Sequence, residues 1–287
     1  MITLGGDYRI ARNTTITAEG AMSNTDVNTF SSKGNDNNVG LGLHLGLQQK
    51  IPLDSLRESR RNIVINTQYE FAASDFKPLE RYRPVEFERD WNVQSLQNEP
   101  ANENLVGLSA AYTNPTVGIV QYAISFYNRG AVYNGLNNTF SGNYQIKGFR
   151  ANWQASYLAS VADTVNTRFL RPTIDLSQRL NIIKGITIGV RGEQEHNRIL
   201  PGNDTLSKAS FYYNEGKIYL TSNDTAKVRF NLDAVSRIDY APARDAFIRS
   251  TIGNTANVGA GLFGNPNSIL QLTATFRKLK IADTSLT

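Results

Sequence analysis

Apolar and polar residues alternate with a period of two along most of this chain, and such alternation builds strands with one apolar and one polar face. The clearest run is Val39-Gly40-Leu41-Gly42-Leu43-His44-Leu45-Gly46-Leu47, with Val and Leu on one face and three glycines and His44 on the other. Ile63, Ile65, Tyr69 and Phe71 oppose Asn66, Gln68 and Glu70 in the same way. Phe149, Ala151, Trp153, Ala155, Tyr157 and Ala159 oppose Arg150, Asn152, Gln154 and Ser156. Val228, Phe230, Leu232 and Ala234 oppose Lys227, Arg229, Asn231, Asp233, Arg237 and Asp239. Thirteen such runs are read, near 8–21, 39–50, 62–73, 104–113, 116–128, 136–146, 149–160, 165–180, 186–197, 208–221, 227–241, 247–264 and 268–282. Most extend about 10–14 residues, against ~5–6 in soluble sheets, and a tilted strand crosses a bilayer in about 9–11. An odd count points to a further strand outside the chain, because single-chain bacterial barrels have even numbers.

The connections carry a second pattern. Thr113–Thr116, Lys147-Gly148, 181–185, 221–226 and 264–267 have tight-turn sequences rich in Asn, Gly and Pro. Longer connections at 22–38, 74–103, 129–135, 198–207 and 242–246 fall between them, while 51–61 and 161–164 break the parity. Leu53–Arg61 has room for a short helix. Short turns at one rim and long loops at the other characterise membrane barrels.

Composition narrows the function more than it defines one. The chain has 287 residues, two histidines and no cysteine, so thiolate chemistry, disulfides and most His-based metal sites are excluded. No apolar stretch approaches the roughly 20 residues of a spanning helix. The net charge of +5 raises nucleic acid as a partner, but Lys and Arg are dispersed among acids without a basic, aromatic-interleaved cluster. Gly5-Gly6 and Gly259-Ala260-Gly261 lack the lysine and the strand–helix context of phosphate loops, and no nucleophile elbow is present. The expectation is a non-enzyme without metal or cofactor.

A soluble β-sandwich also alternates, so the choice rests on the faces. Arg191, Glu193, Lys227, Arg229, Asp233 and Arg237 would face a wet lumen and pair across strands. The opposite faces are almost free of charge, as lipid requires. The fold expected is all-β: an antiparallel, up-and-down transmembrane β-barrel, or a large part of one, with about 12–14 strands over residues 1–287. A long charged loop, 74–103, is inserted between strands.

The Asn/Thr/Gly-rich hairpins, the Asp-Thr turn tips and the segment from Phe76 to Asn92 (FKPLERYRPVEFERDWN) resemble the large outer-membrane barrel proteins of the Bacteroidota. The resemblance spans the chain in style and the 76–92 segment in detail. It implies an outer-membrane location, with lipid and other envelope proteins as partners. The start lacks a signal-peptide pattern and both ends read as cut through a repeat, so the chain is expected to be an internal piece of a longer protein. Neither a plug-like domain nor a terminal strand ending in an aromatic residue is read in this sequence, which again fits the expectation of a piece.

Within 76–92, Lys77, Arg81, Arg83 and Arg89 balance Glu80, Glu86, Glu88 and Asp90. Two readings stand: a folded loop that plugs the lumen or docks a partner, or a salt-bridged cover of the rim. Arg81, Tyr82, Arg83, Phe87, Arg89 and Trp91 are its candidate contact residues, and Pro78 and Pro84 favour extended backbone before them. Asp-Thr at 163–164, 204–205, 224–225 and 283–284 reads as turn chemistry and not as calcium ligation. Glu193 and Glu195 fall on one strand face and His196 on the other, so the three do not converge. The expected role is a conduit or structural platform in the envelope. The alternative is a soluble or surface-attached β module that stacks glycans on Trp153, Tyr157 and Tyr219.

Overall fold

The computed structural model describes residues 1–26, 38–54, 61–93, 100–180, 185–202, 205–223, 227–265 and 268–282. Its strands are β1 (Ile2–Ala11), β2 (Thr14–Asn24), β3 (Val39–Pro52), β4 (Asn62–Ala72), β5 (Glu103–Asn114), β6 (Gly118–Arg129) and β7 (Tyr133–Ile146). They continue as β8 (Phe149–Ala162), β9 (Val165–Leu180), β10 (Ile186–Pro201), β11 (Phe211–Thr221), β12 (Val228–Ala243), β13 (Ala246–Asn265) and β14 (Ser268–Ile281). Among the described residues one short helix, α1 (Phe87–Trp91), lies between β4 and β5. The sheet is up-and-down, with every strand beside its sequence neighbours in the order β1 to β14. Among the described residues β1 pairs with β2 alone and β14 with β13 alone. The all-β, antiparallel expectation therefore holds, at the upper end of the strand count.

Two details of the sequence reading are corrected. The run at 8–21 is two strands, joined at Arg12-Asn13, with Tyr8 opposite Ile16 and Asp7 opposite Thr17. With that hairpin the described strands number fourteen, so an odd count no longer argues for a further strand. Connections 129–135 and 242–246 are also tighter than expected, because β7 begins at Tyr133 and β12 continues through Pro242 to Ala243. Asp163 turns the chain between β8 and β9 with φ 51, the local role expected of Asp-Thr. The proposed helix at 53–61 and the turns at 181–185, 221–226 and 264–267 lie partly outside the described residues. So does the Asp-Thr pair at 204–205; the pairs at 224–225 and 283–284 lie wholly outside.

By contacts the chain divides into two compact units. The first comprises Met1–Pro115, Val120–Thr139 and Tyr157–Thr167, and the second Thr116–Ile119, Phe140–Ser156 and Arg168–Thr287. In the first unit the apolar face of β3 is exposed: Leu41, Leu43, Leu45 and Leu47 all remain in the open. What is buried there lies on the polar-face parity of the strands, where Leu105, Tyr127, Tyr133 and Leu158 are covered. An apolar face turned out and a core on the polar side invert the usual arrangement of a soluble sheet.

In the second unit, Arg168, Arg198, Arg249, Lys278 and Lys280 are the charged residues that alternation places on the apolar face. All fall in the first or last four residues of β9, β10, β13 or β14. Aromatic side chains gather at strand ends of that face too. Tyr212 stacks on Tyr240 at 4.4 Å and meets His196 and Phe247 at 4.8 and 5.8 Å. Tyr144 and Phe149 meet at 6.4 Å beside the Lys147-Gly148 turn.

Candidate functional site

The covering of the first unit's polar face is the 74–103 loop, through its described residues 74–93 and 100–102. It is anchored at entry by backbone: Ala73 N–H donates to the Leu41 carbonyl at 2.8 Å and Lys77 N–H to the buried Ser23 hydroxyl at 2.9 Å. Gly40 and Gly42 make this approach possible. A Cβ at Gly40 would stand 2.2 Å from the Phe76 backbone, and one at Gly42 3.0 Å from the Phe76 ring. The glycines of the β3 polar face are thus the seat of the loop.

Farther along, α1 ends at Asn92, which adopts φ 52 as a left-handed cap. Phe87 meets Tyr127 edge-on at 5.1 Å, Trp91 meets Tyr127 at 5.4 Å, and Tyr127 meets Tyr133 at 5.5 Å. The Tyr133 hydroxyl donates to the Trp91 carbonyl. Trp91 and Val93 are buried with them. Tyr133→Phe leaves that buried carbonyl without its donor, so the docked loop is expected to lose about 1–2 kcal/mol. A Trp91 emission that shifts to the red at lower urea than in the parent would show it.

Charge completes the seat. Arg83, only 11% exposed, bonds Glu70 at 2.5 Å and Glu103 at 3.4 Å, and Arg129 approaches Glu103 at 3.7 Å. Glu70 also faces His44 at 3.7 Å. Register explains the convergence: Ala72 lies opposite Glu103 and Glu70 opposite Leu105, so both carboxylates share one face, while His44 lies opposite Glu70. The Arg83 guanidinium also lies 4.5 Å from the Phe87 ring centre and 4.9 Å from that of Tyr82. Burial, and then the Glu103 carboxylate, raise the Tyr82 phenol above its ordinary range.

The six loop residues singled out from sequence therefore divide. Arg83, Phe87 and Trp91 point into the strands. Arg81 pairs with Glu88 at 3.5 Å and Arg89 with Glu86 at 3.3 Å, both exposed, and Tyr82 is half-exposed. Leu79 and Val85 stand 80% and 75% exposed on the loop. Between the loop and the polar face of β2–β4 lies a cavity of about 670 Å³, lined by Glu19, His44, Glu70 and Arg83 among others. Sequence reasoning did not select Tyr127, Tyr133, Glu70, Glu103 or Arg129. Tyr127 and Tyr133 carried a signal all the same, as aromatics on a polar parity.

The six charged residues expected to face a lumen lie in the second unit. Arg191, Glu193, Arg229, Asp233 and Arg237 share one face of β10–β12, and Lys227 immediately precedes β12. Like charges stand opposite each other at Arg191–Lys217 and Glu193–Glu215, an arrangement that repels. Neighbours relieve it: Arg191 bonds Glu193 at 2.8 Å, Lys217 approaches Asp233 at 3.7 Å, and the Tyr213 hydroxyl donates to Glu193 at 2.8 Å. Arg237 bonds Asp239 at 2.9 Å and covers the Tyr213 ring at 3.8 Å, and Arg229 lies 4.0 Å from the Phe263 ring centre. Glu193 and Glu195 point to this face and His196 to the aromatic cluster on the other. Of the aromatics considered for glycan stacking, Tyr219 donates to Asp175 at 2.7 Å and Trp153 is pressed over Gly142 against Phe140.

Among the described residues no group of three or more His, Cys, Asp or Glu side chains could hold a metal ion, and no helix is long and apolar enough to cross a membrane. No family model, curated protein or solved structure matches the chain.

Proposed function

We propose that this chain forms the wall of an outer-membrane β-barrel, with the apolar face against lipid and the polar face lining an interior occupied in part by the 74–103 loop. Its work is that of a conduit or platform in the envelope, with no catalysis, and the likeness to Bacteroidota outer-membrane barrels agrees with this. The observation that carries the reading is the exposed apolar face, whose charged residues lie only near strand ends among the described residues. Long cations there can reach a headgroup layer, and Tyr and Phe at strand ends suit the interface. The buried ion pairs and the folded loop on the other side supply the polar contents that an interior needs. Exposed Leu79 and Val85 give a partner protein an apolar foothold on the loop.

The absence of cysteine makes the test direct. Leu45→Cys on the apolar face and Gln68→Cys on the polar face lie opposite residues of the same strand pair, at Tyr69 and Gly46. In liposomes Leu45→Cys is expected to react only with a membrane-soluble maleimide and Gln68→Cys only with a charged one. Leu45→Arg should cost about 2–4 kcal/mol of folding in lipid. Labelling of both by the charged reagent in a chain that stays dissolved without detergent would refute the proposal.

A further inference from the structure

At the tight-turn end of the second unit, the polar face holds a cavity of about 620 Å³ whose charged lining residues are all cations: Lys147, Arg150 and Arg179. From this we infer an oxyanion site, built for a ligand that carries phosphate groups.

Each cation reaches the cavity by a different route. Arg150 and Arg179 lie on the polar-face parity of β8 and β9. Lys147 stands in the two-residue turn before β8. That turn is closed by Gly148 with φ 83, while Lys147 itself has φ 46, a conformation that Asn or Gly adopts at less cost. Arg179 is fixed by its backbone, whose N–H donates to the Gly148 carbonyl at 2.8 Å. Its guanidinium crosses Gly185, where a Cβ would come within 3.1 Å of Nη2.

The remaining chemistry suits an anion. Ser177 and Thr187 bring hydroxyl groups to the cavity, each able to donate to a phosphate oxygen. Among the described residues no carboxylate lies within salt-bridge distance of Lys147, Arg150 or Arg179. Asp175, on the same face, is engaged by the Tyr219 hydroxyl and does not line the cavity. Elsewhere on that face Arg191, Lys217 and Arg237 each have a carboxylate partner. Three cations without a carboxylate partner among the described residues, around a polar cavity large enough for several oxyanion groups, attract a phosphate-bearing ligand by charge and by fork-shaped hydrogen bonding.

The site does not depend on the membrane reading, so the test is run in detergent or in plain buffer, whichever keeps the chain folded. Calorimetric titration with tripolyphosphate at constant ionic strength should show saturable one-to-one binding, stronger than that of inorganic phosphate. Arg150→Gln and Arg179→Gln should each weaken it at least about tenfold, as loss of a charged hydrogen-bonding group does. Lys147→Asn should weaken it about threefold or more without loss of thermal stability, because Asn tolerates the turn conformation. Arg277→Gln, a polar-face cation outside the cavity, should leave it unchanged. A short-chain phosphatidate that competes with tripolyphosphate more strongly than free phosphate does would identify a lipid headgroup as the source; the reverse order would identify a soluble phosphate compound. Absence of saturable binding, or equal affinity in all four variants, overturns the proposal.

Discussion

Gly40→Ala is expected to expel the 74–103 loop from its seat while leaving the sheet paired. The added methyl group would sit 2.2 Å from both the Phe76 Cα and its amide nitrogen, more than 1 Å inside contact distance, and backbone cannot rotate away as a side chain can. The entry contacts of the loop, from Ala73 to Leu41 and from Lys77 to Ser23, lie within three residues of that clash and must move with it. A destabilisation of the docked loop near the top of the 1–3 kcal/mol range for overpacking follows, about a hundredfold in the population of the open form. Limited trypsinolysis reads this population, since Arg81 and Arg89 are exposed cleavage sites within the loop. Gly42→Ala should give a smaller effect, because its clash is with the Phe76 ring. Gly46→Ala, on the same strand and face, meets Thr17 at 3.3 Å and His44 at 3.8 Å, neither of them in the loop, and should be cleaved about as slowly as the parent. Equal protection of Gly40→Ala and Gly46→Ala would show that the glycine seat does not hold the loop.

That the loop has a glycine seat was only half legible in the sequence. Alternation over 39–47 showed glycines on one face of the strand, and nothing in it said what they leave room for. The strands themselves were legible to within a few residues because period two is a local property, set by which face each residue must occupy. The hairpin at Arg12-Asn13 escaped for a physical reason: its turn has two residues, so the parity of Tyr8 and Ile10 carries unbroken into Ile16 and Ala18. The start of β7 escaped for another. Tyr133 is apolar on a polar parity, and Gly135 leaves space for its phenol, since a Cβ there would meet the hydroxyl at 2.5 Å. Local pattern therefore misreads the residues that serve a long-range contact.

The same limit applies to the charges. Sequence showed that the cations and anions of 76–92 balance, and stopped there. It could not show that Arg83 crosses to Glu70 and Glu103 whereas Arg81 and Arg89 stay with glutamates of their own loop. Exposed pairs of the latter kind contribute little, and the part-buried one is expected to weigh more on whether the loop is in or out. The polar-face charge of the second unit was easier to find, because Arg191, Glu193, Arg229, Asp233 and Arg237 follow from strand parity alone.

Arg83→Met is the sharpest test of that division. It removes the one group that bridges Glu70 and Glu103 and leaves two carboxylates on one face beneath the loop, with Arg129 as the cation remaining beside Glu103. Breaking a buried pair from one side costs about 3–5 kcal/mol, chiefly through the charge left behind. The loop is therefore expected to undock almost completely, with trypsin cleavage at Arg81 and Arg89 faster by two orders of magnitude or more. Arg81→Met, which breaks an exposed pair and exposed hydrogen bonds to the Pro84 and Val85 carbonyls, should change protection at Arg89 less than about threefold. Arg83→Lys should fall between, because an ammonium can meet one carboxylate but cannot present the fork that spans two. The combination Arg83→Met, Glu70→Gln and Glu103→Gln removes the orphaned charges and should recover part of the docking, a non-additivity that only a shared network produces. In planar bilayers, if the polar face lines a conduit, single-channel conductance should rise in Arg83→Met and fall back in the triple variant. Unchanged protection in Arg83→Met would mean that the aromatic contacts of Phe87 and Trp91 hold the loop without help from charge.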